Sequence, residues 1–207
     1  MNQQHSKATE REISHSAVLR LALVGVFAAL SYAVFTFLQI KIPIGPGHMV
    51  SLHLGNAVCV LSALILGGVY GGLSGAIGMT IGDLLDPVYI TVAPKTFLLK
   101  FCMGLITGLI AHRIAKITLS VKPAYWMKWS ALAAFGALFA NVILDPLIGY
   151  YYRILILGKP AAEVTFHVDL AATSINAIIS LVVAVAVYMA LRTSLQKSSL
   201  FDQLYNG

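Results

Sequence analysis

The sequence predicts an all-α integral membrane bundle of six transmembrane helices with both termini in the cytoplasm, on three observations. Hydrophobic residues fill 58% of the 207 positions and charged residues only 11%, where a soluble domain carries about 25% charge. No charge interrupts the chain between Lys41 and Asp83, or between Lys128 and Asp145. The basic residues outside those stretches gather on alternate connections, as cytoplasmic loops require. At about 20 residues per crossing, this content fits five to seven spans and leaves no separate soluble domain.

The first span is expected over 17–38, ending before Pro43-Ile44-Gly45-Pro46-Gly47, residues that cannot continue a helix; a loop follows. Polar residues 1–15 precede it as a cytoplasmic tail, and the apolar run has no small-residue cleavage site behind it, so it reads as a retained helix rather than a signal peptide. A second span at 53–66 is parted by Gly67-Gly68 from a glycine-rich third at 71–85, which Asp86-Pro87 closes. Both are short enough to stop partway, with their ends in a protein-lined cavity. The fourth span covers 96–115, the fifth 129–151 and the sixth 169–191. Residues 16–192 thus form the membrane domain, and 193–207 a cytoplasmic tail.

With the N-terminus inside, Lys7, Arg11, Arg20, Arg113, Lys116, Lys122, Lys128, Arg192 and Lys197 fall on the cytoplasmic side, and Lys41, Lys95, Lys100, Arg153 and Lys159 outside. An even number of spans keeps the basic C-terminal end inside, which selects six over five or seven. Tyr125, Trp126 and Trp129 at one end of the fifth span, and Tyr150, Tyr151 and Tyr152 at the other, suit interfacial belts. The net charge of +6 is then a property of cytoplasmic loops, not a sign of nucleic-acid binding. Cys59 and Cys102 lie in apolar segments, where thiols act as small hydrophobes.

This topology separates the acids from the inner face. Asp83, Asp86, Asp145, Glu163 and Asp169 lie at or beyond the outer ends of spans, with His48, His53, Asn56, Lys95, Lys100, Asn141, His167 and Asn176 in the same half. Ionisable groups near hydrocarbon cost about 2.5–3.5 kcal/mol each on insertion scales and face a partner or a watery cavity. A polar cup opening outward is expected. Each member also has a plainer use. Asp86 before Pro87 suits a turn, Lys95 and Lys100 can snorkel, and Asn56, Asn141 and Asn176 can join helices. His48, His53 and His167 suit loops, while Asp145 and Asp169 can pair with Arg153 or Lys159.

Gly25, Ala29 and Ala33 recur every four residues and line one face of the first span. Small residues admit a close helix, either within this chain or from another membrane protein. Gly68, Gly71, Gly72, Gly75, Gly78 and Gly82 allow tight packing around the third span, without the lysine of a phosphate loop. Neither a His-Glu-x-x-His helix nor a Gly-x-Ser-x-Gly elbow is present, so no enzyme and no cofactor is expected. Leu85-Asp86-Pro87 and Leu144-Asp145-Pro146 echo one another as a faint trace of internal duplication.

The residues resemble the substrate-binding S components of energy-coupling factor (ECF) vitamin transporters. The likeness lies in His53-Leu54-Gly55-Asn56, Leu66-Gly67-Gly68, Gly71-Gly72-Leu73, Gly78, Gly82-Asp83, Asp86-Pro87-Val88-Tyr89, Ala93-Pro94-Lys95-Thr96-Phe97 and Lys100-Phe101. The resemblance implies a subunit that captures a vitamin outside and topples to release it to a module of one transmembrane coupling protein and two cytoplasmic ATPases. It further implies that Gly25, Ala29 and Ala33 contact the coupling protein, with Gly in place of the usual first Ala. The nickel and cobalt members begin Met-His, whereas this chain begins Met1-Asn2, which argues against a metal cargo.

The stretch from His53 to Lys100 is most similar to members for pantothenate or for vitamin B6 and hydroxymethylpyrimidine. An anionic cargo would use Lys95 or Lys100, a ring cargo Asp83 or His53 with Tyr89 stacking. Both sets are present. The rival reading is a stand-alone secondary transporter using Asp83 and Asp145 for protons or cations.

Overall fold

The computed structural model describes residues 2–45, 48–158, 163–198 and 200–205. Met1, Pro46, Gly47 and Lys159 of the sequence reading lie outside the described residues, as do the side chains of Lys7, Arg11, His48 and Glu163. Helix α1 runs Asn2–Phe37; residues 2–15 contain neither Gly nor Pro and are continuous with the apolar helix. A β-hairpin follows, β1 (Gln39–Gly45) against β2 (His48–His53). Then come α2 (Gly55–Leu66), α3 (Gly68–Leu84), α4 (Ala93–Gly108) with a π-helical turn at Leu109–Ile114, α5 (Pro123–Leu155), α6 (Glu163–Lys197) and α7 (Leu200–Tyr205).

Among the described residues four stretches are long and apolar enough to cross a membrane: Ser16–Phe37, Ile90–Ile114, Pro123–Leu155 and Thr165–Lys197. The two short helices expected from the glycine pattern are present, with their edges at most three residues from those drawn. At 1.5 Å per residue they span about 18 and 25 Å, less than the roughly 30 Å hydrocarbon core. Every residue of α2 is buried, so α2 is the central helix and its neighbours supply the lipid-facing surface.

Glycines make this possible. A Cβ on Gly71 would stand 2.2 Å from the Ala63 Cα of α2, and one on Gly104 of α4 would stand 2.2 Å from the Gly72 Cα of α3. Backbones therefore touch along α2–α3 and α3–α4. Gly67, with φ of 85°, makes the turn between α2 and α3 in a region open to glycine. Gly25 of α1 is different, for nothing lies within 4 Å of its Cβ position.

The segment expected to be a loop after α1 is a paired hairpin, with Lys41 opposite Ser51 and Gln39 opposite His53. Ile40 and Ile42 alternate with Lys41, a period of two that suits a strand. Pro43 sits beside the register irregularity at the turn, where a missing N–H is tolerated. Two strands alone are marginal in water; here Asn176 of α6 clasps β2, its Oδ1 accepting from His53 N–H at 2.9 Å and its Nδ2 donating to the Ser51 carbonyl at 2.9 Å.

At the opposite end of the bundle the C-terminal residues are not a free tail. Phe201 and Leu204 of α7 are buried, Tyr205 donates to the Ile65 carbonyl at 3.1 Å, and Arg20 of α1 donates to the Leu204 carbonyl. Trp126, read as a belt residue, is instead buried against Tyr188, while Tyr125 remains exposed. The two Leu-Asp-Pro triplets occupy unlike places, one in the turn after α3 and one inside α5.

Gly71→Ala should lower the stability of the detergent-purified protein by about 1–3 kcal/mol, the range for overpacking. Gly25→Ala should be neutral or slightly stabilising, given the higher helix propensity of Ala. Thermal unfolding of both variants checks this, and equal midpoints would contradict the close packing.

Candidate functional site

Asn141 and Asp145 are four residues apart on α5, hence on one face, and Lys95 and Lys100 of α4 meet them there. Lys95 Nζ lies 2.5 Å from Asp145 Oδ1 and Lys100 Nζ 3.6 Å from Asp145 Oδ2. Lys100 also donates to Asn141 Oδ1 at 3.2 Å. Lys100 is 4% exposed, so it does not snorkel. An ammonium can only donate, which fixes Asn141 with Oδ1 toward Lys100 and leaves its Nδ2 free to donate elsewhere.

Around this network stand residues from three further elements. His53 closes β2 and packs edge-on against Phe35 with ring centroids 4.8 Å apart. Its Nδ1 accepts the Gly55 N–H at 3.2 Å, which places the neutral ring's proton on Nε2. Loss of water, and then the nearby Lys100 charge, push the His53 imidazole down to about 3. Asp83 is buried near the end of α3. Asn56 is buried in the first turn of α2, one residue beyond Gly55.

Several buried polar atoms here have no protein partner: Asn56 Oδ1, Asn141 Nδ2 and Tyr89 Oη. Such groups are rare in folded proteins, since a missing partner costs about 1–3 kcal/mol. An acceptor, an amide donor and a phenol are thus available to a bound molecule.

The hairpin lies at this same end. Lys41 forms an ion pair with Asp86 in the turn after α3, and its ammonium sits 5.6 Å from the centre of the Tyr89 ring. Asp86 Oδ1 also accepts the Val88 N–H at 3.0 Å, so the turn role and the ion pair coexist. Burial, then the Asp86 charge, push the Tyr89 phenol up to about 12, which keeps it a neutral donor.

The structure therefore brings together His53, Asp83, Lys95, Lys100, Asn141 and Asp145, with Asn56 adjoining through Gly55. Asp86 and Tyr89 form a second group with Lys41, and Asn176 ties the hairpin to α6. His167 is exposed on α6 beside Phe166. Asp169 pairs with Arg153 at 3.1 Å, whereas Asp145 pairs with the two lysines rather than with Arg153. Sequence reasoning missed the bridging use of Lys41. Lys41 is the lone charge of β1 and β2, which is the signal that could have found it. Among the described residues no His, Cys, Asp and Glu group suited to a metal is present.

A family model described as "ECF-type riboflavin transporter, S component" matches residues 15–193. No curated protein and no solved structure matches the chain significantly.

Asp145→Asn should destabilise the protein by about 3–5 kcal/mol, because two shielded ammonium groups lose their carboxylate. Asp86→Asn should cost under about 1 kcal/mol, since its partner is exposed. Thermal unfolding distinguishes the two. Because the folded His53 value is about 3 against an ordinary 6.5, the unfolded chain binds a proton that the folded one refuses between those values. Stability from this group is present above pH 6.5 and is lost as pH falls toward 3. His53→Asn should flatten that slope in denaturation measured across the same range.

Proposed function

The chain belongs to the ECF-type riboflavin transporter S component family, and we propose that its polar cluster captures a water-soluble vitamin from outside the cell. An S component is a substrate-binding transport subunit and not an enzyme, and this chain is a multi-pass protein of the plasma membrane. On our reading α1 to α6 make six crossings with both termini cytoplasmic, so that the hairpin end faces outward. Uptake is then driven by a transmembrane coupling protein and two cytoplasmic ATPases.

The observation that carries the cargo reading is the set of unpartnered polar atoms beside the Lys95–Asp145–Lys100 network. Asn56 Oδ1 and Asn141 Nδ2 suit a ring that offers both a donor and an acceptor. The formal charges at this end balance: Lys41, Lys95, Lys100 and Arg153 face Asp83, Asp86, Asp145 and Asp169. That balance favours a neutral heterocycle, the vitamin B6 or hydroxymethylpyrimidine class. Riboflavin, the vitamin in the family description, belongs in the same comparison. Pantothenate has one specific argument, for Lys95 and Lys100 share a single carboxylate and an anion could engage the surplus. The hairpin, tied by Asn176 and by Lys41–Asp86, is placed to cover the occupied site, with Tyr89 beneath it. His167 at the outer end of α6 would guide approach rather than hold the cargo.

Coupling is assigned to α1. Gly25 and Ala29 are exposed and Ala33 half-buried, and the open space at Gly25 favours docking by another protein over packing within this one.

Native mass spectrometry of the purified subunit should find a retained small molecule, and binding of pyridoxine, hydroxymethylpyrimidine, pantothenate and riboflavin identifies it. Asp83→Ala should weaken that binding about tenfold or more, the value of a charged hydrogen bond, without loss of the transporter complex. Ala29→Leu should abolish co-purification with the coupling protein and uptake while leaving cargo affinity intact. Gradient-driven uptake by the lone subunit in liposomes would instead establish a secondary transporter.

A further inference from the structure

We infer that the connection between α4 and α5 is a preformed contact for anionic phospholipid headgroups, a role separate from cargo capture. Residues 115–122 join two helices that are each long and apolar enough to cross a membrane. The connection therefore lies at a bilayer surface, whichever leaflet that is.

Its charge is one-sided. Arg113, Lys116, Lys122 and Lys128 cluster here, and the chain has no acid between Asp86 and Asp145. Among the described residues none of the four is in an ion pair, whereas at the hairpin end Lys41, Lys95, Lys100 and Arg153 all meet a carboxylate.

Between the cations stand apolar side chains that touch little of the protein. Val121 is 84% exposed, Leu119 71% and Ile114 61%. Water is a poor setting for these groups, but the headgroup boundary suits them: the apolar tips enter the acyl edge while the ammonium groups stay at phosphate level. Tyr125 and Trp129, with ring centroids 6.2 Å apart, begin α5 at the same depth, as interfacial aromatics do. A basic surface on a water-facing protein interface would not need such tips, which is why lipid is favoured over an acidic protein partner.

The loop is also held in shape from beneath. Arg192 of α6 is fully buried and donates to the carbonyls of Ile117 at 2.8 Å, Thr118 at 3.3 Å and Ser120 at 3.5 Å. Its guanidinium lies 4.5 Å from the Phe201 ring centre and 5.6 Å from that of Trp126. Lys116 adopts the left-handed region with φ of 48°, and Tyr125 donates to the Ala115 carbonyl at 3.1 Å. Ile117 is buried as an anchor while its neighbours point out. A loop already ordered binds without the entropy loss of ordering it.

The test is a native mass spectrometry titration of the delipidated full chain with phosphatidylglycerol and, separately, phosphatidylcholine. The unaltered protein should prefer phosphatidylglycerol. Lys116→Gln, Lys122→Gln and Lys128→Gln together should weaken phosphatidylglycerol binding roughly a hundredfold, from the usual attraction of each basic residue to an anionic surface. Phosphatidylcholine binding and cargo affinity should not change. Val121→Asp, at an exposed position, should weaken phosphatidylglycerol binding without lowering the thermal midpoint. An unchanged preference in the triple variant overturns the inference. So does the same preference accompanied by loss of the coupling protein, which would make the patch a protein contact.

Discussion

Two lysines on α4 and a single carboxylate on α5, Lys100 buried and Lys95 and Asp145 partly so, govern the hairpin end of this protein. An isolated charge near hydrocarbon is expensive, and Lys100 is too deep to reach a surface. It must therefore meet Asp145, and that meeting sets how α4 lies along α5. Asn141, one turn before Asp145, is drawn onto the same ammonium. Pro146 follows at once within the helix, and because proline offers no N–H the helix is locally short of one backbone bond beside the very carboxylate that carries the network.

That arrangement stands only because the helices around it approach closely. The buried α2 is too short to serve as a lipid-facing span, yet it packs against α1, α3, α4 and α6 at the centre of the bundle. Glycines on α3 and α4 remove the side chains that would hold these backbones apart. Close packing in lipid cannot rely on a hydrophobic drive between helices and depends on van der Waals contact, so glycine position is an energetic matter here. The same packing fixes where Asp83 and Asn56 emerge, near the ends of α3 and α2 that face the hairpin.

Much of this was legible in the residues. Uncharged runs revealed α2, α3 and the middle of α5 because a bilayer excludes charge, and Gly67-Gly68 marked the α2–α3 turn because φ above zero favours glycine. The cluster of His53, Asp83, Lys95, Lys100, Asn141 and Asp145 was legible because polar groups in lipid must find each other. What escaped was set by tertiary partners. The hairpin has only a faint alternation and owes its pairing in part to Asn176, which lies far along the chain. Trp126 read as a belt residue because aromatics at a helix start usually are, but Arg192 captures it. The last residues read as a tail because a short polar-rich segment has no stability alone; α7 gains its place from Arg20, Ile65 and Arg192.

The two ends of the bundle solve the same physical problem in opposite ways, and the difference bears on function. At the α7 end a buried cation, Arg192, meets backbone carbonyls and aromatic faces of the protein itself through its terminal nitrogens and its plane, with Nε left unpartnered, and so fixes the loop above it. At the hairpin end the buried cations are satisfied by a carboxylate and one amide oxygen, and the surrounding amides are left with an acceptor and a donor unanswered. A cation held by loop carbonyls serves the shape of that loop, whereas amides with an unanswered acceptor and donor beside a charged network gain stability when a ligand completes them. The two ends thus differ in what meets their buried cations: carbonyls and aromatic rings at the α7 end, a carboxylate and an amide oxygen at the hairpin end.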